Sequence, residues 1–231
     1  MNTYENVSDV SGNRFLSKVY MWMFISMLLT AVASYAVMSS ASLQATMFGL
    51  MWILIIAELG IVILLSWKLK SMSPAMAAAA YVFYSVLSGI TLTPILTYYT
   101  LASVFVVFLI SAGMFIGMSL IGYFIKKDLS GLRRFFMMAL IGLVIAMLAN
   151  MLLSYFAPAL ANGMNLIISV IAVLLFAGLT AHDTQKIKKI GQSMEYGNPY
   201  SQNLAIVCAL TLYLDFINLF IHMLRLFGQR R

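Results

Sequence analysis

Few side chains in this sequence can do chemistry, and three of them, Glu58, Asp183 and Asp215, are carboxylates standing in or beside apolar runs. An ionisable group near the centre of a bilayer costs about 2.5 to 3.5 kcal/mol on insertion scales, so each is a functional candidate. Around Asp215 the surroundings are periodic. At about 100° per residue, Cys208, Thr211, Asp215, Asn218, His222 and Arg225 fall on one stripe of a helix whose other faces are almost wholly apolar. Such a stripe faces protein or water and not lipid, either as an ion or proton pathway or as a hydrogen-bonded seam.

Asp183 taken alone reads as ordinary solvated polarity at a helix end, beside His182, Thr184 and Gln185. Brought near Asp215 it means more, because two carboxylates in low dielectric share a proton when both cannot ionise cheaply. Such a pair closes a pathway when protonated and admits or repels a cation when ionised. Carboxylates are also the hard oxygen ligands that calcium prefers, which makes Glu58, Asp183 and Asp215 candidate transient ligands. Tyr81, Tyr84, Ser85, Ser88 and Thr91 lie within roughly 120° of a helical wheel. They either line a wet cavity or hydrogen-bond across helices. No second His or Cys stands at ligand spacing from His222, and no phosphate-binding loop or dinucleotide fingerprint occurs, so no resident cofactor is expected.

The elements that position these groups follow from composition. Apolar residues make up 63% of the 231 and charged residues 9%, which excludes an ordinary soluble domain. At roughly 20 residues per span there is room for six or seven helices, short loops and no sizeable extramembrane domain. The sequence predicts a polar cytoplasmic leader over 1–18, read as a tail, and a transmembrane domain over 19–231. Its spans are expected near 19–38, 47–67, 75–97, 101–125, 135–156, 165–182 and 204–227. Glu58 then sits halfway along the second span, about 16 Å from either interface. Gly113 and Gly117, and Gly142 and Ala146, have the spacing of close helix contacts and are read as intramolecular packing.

The formal charge of +7 is a topology signal and not a nucleic-acid footprint, because the bases cluster beside apolar runs. Lys68 and Lys70 follow span two, Lys126, Lys127, Arg133 and Arg134 follow span four, and Lys186, Lys188 and Lys189 follow span six. Loops after spans one, three and five carry no base, so the amino terminus and the basic loops are expected in the cytoplasm. Arg230 and Arg231 oppose that bias if span seven crosses fully; otherwise the last helix is re-entrant. Trp22, Trp67, Tyr98, Tyr99 and Tyr155 are placed as interfacial anchors.

Three strings, ALTLYLDFINLFIHMLRLFG (Ala209 to Gly228), LTAHDTQKIK (Leu179 to Lys188) and YSVLSGITLTPI (Tyr84 to Ile95), closely resemble the Bax inhibitor-1 family, and KKDLSGLRRF (Lys126 to Phe135) fits too. The compact loops look like a bacterial inner-membrane member. The resemblance implies an all-α fold in which six helices surround a central seventh, and a pH-sensitive calcium leak with a two-aspartate proton sensor. By position in the motifs those aspartates are Asp183 and Asp215; Glu58 matches an acid on the ion path, and Arg225 a base near the end of the last helix. A base after span two, Lys68 or Lys70, is implied as a latch onto Asp183, and His182 stands where relatives often carry Tyr.

The functional expectation is a pH-gated cation leak whose partners are membrane lipid and calcium or protons. The alternative is a non-transporting accessory protein that binds and restrains a membrane-anchored quality-control protease. Catalysis is not expected: the Gly-x-Gly-Asp context of an intramembrane aspartyl hydrolase is absent, since Thr180, Ala181 and His182 precede Asp183.

Overall fold

A computed structural model describes residues 2–68, 71–194 and 199–231, with side chains from Ser11 onward. Its described residues are helical apart from short connections and one isolated bridge between Tyr99 and Arg230. The helices are α1 (Asn2–Met38), α2 (Ala41–Gly49), α3 (Met51–Trp67), α4 (Pro74–Thr97), α5 (Leu101–Phe124), α6 (Arg133–Phe156), α7 (Pro158–Ser193) and α8 (Pro199–Phe227), with a 3-10 turn at Ser130–Leu132. Starts are encoded locally. Ser73 accepts from Met76 N at 3.2 Å ahead of Pro74, and Thr100 accepts from Ser103 N at 3.4 Å ahead of α5. Pro158 and Pro199 open α7 and α8, where a missing N–H costs nothing.

Three expectations are corrected. The leader is not a tail: α1 is helical from Asn2, and Phe15, Leu16 and Val19 are buried. The segment of the second span is not one straight helix, because α2 and α3 meet at a 69° bend. The helix of the sixth span does not end at His182: α7 runs 36 residues, about 54 Å at 1.5 Å per residue, so Asp183 lies inside a helix. Among the described residues, six helices are long and apolar enough to cross a membrane, or up to seven counting the bent pair as one span.

The chain forms two compact units, Met1–Tyr98 with Ile187–Tyr213, and Tyr99–Lys186 with Leu214–Arg231. In the first, α1 packs along α4 through a ladder of small polar residues one turn apart. Ser26 Oγ meets Ser85 Oγ at 2.7 Å, Thr30 Oγ1 donates to Ser85 O at 2.9 Å, and Ser34 Oγ donates to Gly89 O at 2.7 Å. Only glycine fits at 89, since a Cβ there would collide with the Thr30 backbone. Interhelical hydrogen bonds of this kind contribute about 0.6 kcal/mol each in a membrane. Gly12 and Gly191 also face each other, bringing the start of α1 against the end of α7.

In the second unit, Phe216 on α8 packs edge-on against Phe108 and Phe115 of α5. Gly122 lets α5 touch α7 at Ala181, and Gly178 seats the ring of Phe136. Gly113, Gly117 and Gly142 do none of this: nothing lies within 4 Å of where their Cβ would be. The reading of those glycines as intramolecular packing therefore fails, and the close contacts use other glycines. The carboxyl terminus is fixed beside the start of α5, where Thr100 N donates to Gln229 O at 3.0 Å and Gln229 N to Ser103 Oγ at 2.7 Å. α8 is one unbroken helix of 29 residues, without the break that would let it turn back on itself. Trp67, Tyr98 and Tyr155 are exposed at helix ends as interfacial anchors are, whereas Tyr99 is buried and Trp22 packs on Tyr81.

Candidate functional site

Two clusters of chemistry-bearing residues arise, one in each unit. In the first, Glu58 sits in the middle of α3, half-buried. Thr91 Oγ1 on α4 donates to its Oε2 at 3.0 Å, and the hydroxyls of Ser88 and Tyr84 lie near enough to act on the carboxylate. The polar face of α4 expected from the sequence is thus a hydrogen-bonding surface. Part of it joins α1, and part supplies hydroxyls to Glu58. Tyr213 on α8 extends the same network, its hydroxyl 2.8 Å from Thr30 Oγ1.

In the second unit, Asp183 on α7 and Asp215 on α8 are both buried, at 9% and 5% exposure. They lie within range of direct charge interaction, with Lys186 one turn on from Asp183 also acting on Asp215. Asp183 Oδ1 is 2.7 Å from His182 Nδ1. Asp215 Oδ2 has no hydrogen-bond partner among the described residues, an unusual state for a fully enclosed carboxylate oxygen. The segment around Asp183 is not solvated polarity: Thr180, His182, Thr184 and Gln185 are all buried. The ring of His182 packs on Phe136, which fixes the imidazole against α6.

The rest of the α8 stripe divides. Thr211 Oγ1 donates to Val207 O at 3.1 Å and Asn218 Nδ2 to Leu214 O at 2.8 Å, so both bond within their own helix. His222 Nδ1 lies 3.3 Å from Ser169 Oγ on α7, and its ring stacks on Phe176. Arg225 is half-buried one turn beyond it, and Cys208 is buried. From Ser201 to Leu226 no residue of α8 is exposed, so its apolar faces are enclosed as fully as the polar one. Of the two latch candidates, Lys68 is exposed at the end of α3 and Lys70 lies outside the described residues. Among the described residues no three His, Cys, Asp or Glu side chains gather as a metal site. Any calcium held here would therefore rest on fewer acids, completed by hydroxyls, carbonyls or water.

Sequence reasoning missed Gln185. Its Oε1 accepts from Leu129 N at 2.8 Å, and its Nε2 donates to Lys127 O at 2.9 Å and Ile125 O at 3.3 Å, clamping the α5–α6 turn to α7. It also missed the ladder of Ser26, Thr30 and Ser34, although their four-residue spacing in an apolar run is a visible signal.

Long apolar helices enclosing a few buried acids define the class: a multi-pass α-helical membrane protein. The sequence profile described as "Inhibitor of apoptosis-promoting Bax1" matches residues 12–231, and the chain belongs to the Bax inhibitor-1 family. It is 42% identical over 221 residues to the inner membrane protein YbhL of Escherichia coli strain K12, covering 94% of this chain and 92% of the relative. An uncharacterized protein of Borreliella burgdorferi is 37% identical over 232 residues, covering 99% and 97%. One of Deinococcus radiodurans is 39% identical over 216 residues, covering 94% and 90%.

Proposed function

We propose that the chain is a pH-sensitive leak for a cation, with calcium the first ion to test, in which Asp183 and Asp215 share a proton in the closed state and Glu58 attracts the ion. The observation that carries this reading is a pair of buried carboxylates on two helices within charge range of each other, one with an oxygen left unpartnered. A shared proton relieves the repulsion; its loss leaves two negative charges that separate or hold a cation. Glu58 suits the second role because its carboxylate is held by hydroxyls and by no base among its hydrogen-bond donors. No catalytic step or resident cofactor enters this reading. The E. coli relative is named for the inner membrane, and we extend that location to this chain, with the amino terminus and the basic loops in the cytoplasm.

Calcium entry into proteoliposomes of the purified protein, measured across about pH 6 to 8, tests the proposal. Wild type should show a flux that rises as the pair deprotonates. Glu58→Gln should lose the flux, and Asp183→Asn should lose its pH response while still conducting. Flux unchanged in both variants would sink the reading. No flux in any sample would also reject it and leave the accessory-protein alternative, tested by copurification with a membrane protease.

A further inference from the structure

The turn between α5 and α6 carries four bases, Lys126, Lys127, Arg133 and Arg134, all exposed. None has an ion-pair partner among the described residues. The acid in the same turn, Asp128, turns its Oδ1 back onto Ser130 N at 2.9 Å. Arg133 and Arg134 occupy the first turn of α6, which continues the Ser130–Leu132 turn: Arg133 N donates to Ser130 O, and Asp128 closes the start of that turn. A turn of like charges would ordinarily splay, but the Gln185 clamp fixes its backbone at Ile125, Lys127 and Leu129. Exposed apolar side chains lie at the same level: Phe124, Leu132 and Phe135 are 71%, 44% and 58% exposed.

We propose that this turn is a preorganised binding site for the phosphate headgroup of an anionic phospholipid. The four cations receive the phosphate, and the exposed apolar side chains lie along the acyl chains. Those apolar residues favour a lipid over a free phosphate ion, which would leave them without a partner. Gln185 contributes by holding the charges together before the lipid arrives, so that binding need not supply the ordering. This site is independent of whether the chain conducts ions.

The test places a fluorophore on Gly131→Cys in a Cys208→Ser background, reconstituted in phosphatidylcholine vesicles, and compares quenching by chain-brominated phosphatidylglycerol with that by brominated phosphatidylcholine. Wild type should prefer phosphatidylglycerol about ten-fold. Replacing the four exposed bases by Gln, which disturbs no packing, should remove the preference, and Gln185→Leu should weaken it although every charge remains. Equal quenching by both lipids, or a preference that survives the four-fold replacement, would overturn the site. Full preference in Gln185→Leu would overturn the preorganisation. Displacement of the lipid by tens of millimolar inorganic phosphate would overturn the lipid assignment.

Discussion

At the scale of single residues, the distinctive bond is the one between His182 and Asp183. His182 Nδ1 and Asp183 Oδ1 lie 2.7 Å apart with both side chains buried, so this contact and the packing of the ring on Phe136 hold the carboxylate in place. His182→Phe keeps an aromatic ring against Phe136 and removes the partner of Asp183. Leaving a buried carboxylate oxygen without that partner should destabilise the protein by about 1 to 3 kcal/mol, read from its unfolding in detergent. Stability unchanged within about 0.5 kcal/mol would show that the contact holds nothing in place. Asp215 stood out because an acid among apolar residues announces itself, whereas Asp183, beside His182, Thr184 and Gln185, read alone as solvated polarity and became a candidate only beside Asp215. Gln185 was not, because a buried amide clamp and a solvated glutamine are the same letter. Only the burial of the helix around it, which extends past the apolar run, distinguishes them.

At the scale of elements, glycine decides which helices touch. The sequence offers pairs with identical spacing, and only their facing separates a contact from a lipid-exposed surface, information that periodicity in an all-apolar helix does not carry. Gly122 is a contact: a Cβ there would run into the Ala181 backbone, two residues before Asp183, and backbone cannot move aside as a side chain can. Gly113 and Gly117 on the same helix are open. Gly122→Leu should destabilise the protein by about 3 kcal/mol or more, read from its unfolding in detergent, through overpacking that pushes α7 from α5. Gly113→Leu should leave stability within about 0.5 kcal/mol. Equal effects at both positions would show that α5 and α7 do not meet at Gly122. The break between α2 and α3 and the helical leader were hidden for another reason. A 20-residue apolar window does not register a bend inside it, and a polar segment without apolar periodicity gives no sign that it continues a helix begun in the membrane.

At the scale of the whole molecule, the bend of 69° between α2 and α3 controls the parity of the chain. If the bent pair crosses as one broken span, there are seven crossings. The amino terminus, with Arg14 and Lys18, then shares a face with Lys68, Lys126, Lys127, Arg133, Arg134 and the bases of α7, and the carboxyl terminus lies opposite. If the pair enters and returns, there are six crossings, both termini share a face, and the bases of the leader are parted from those of the loops. The position of Gln229 and Arg230 beside Tyr99 and Thr100 fits either count, since it ties the carboxyl terminus only to the α4–α5 junction. Charge decides between them: segregation of Lys and Arg to one face is the stronger constraint, and two arginines at the far end do not outweigh it. Seven crossings are therefore expected. In a Cys208→Ser background, Arg231→Cys should react with a membrane-impermeant maleimide in intact spheroplasts, while Thr3→Cys should react only after permeabilisation. Labelling of both in intact cells, or of neither, would mean that α2 and α3 turn back within the membrane, and Glu58 would then belong to a re-entrant hairpin and not to a crossing helix.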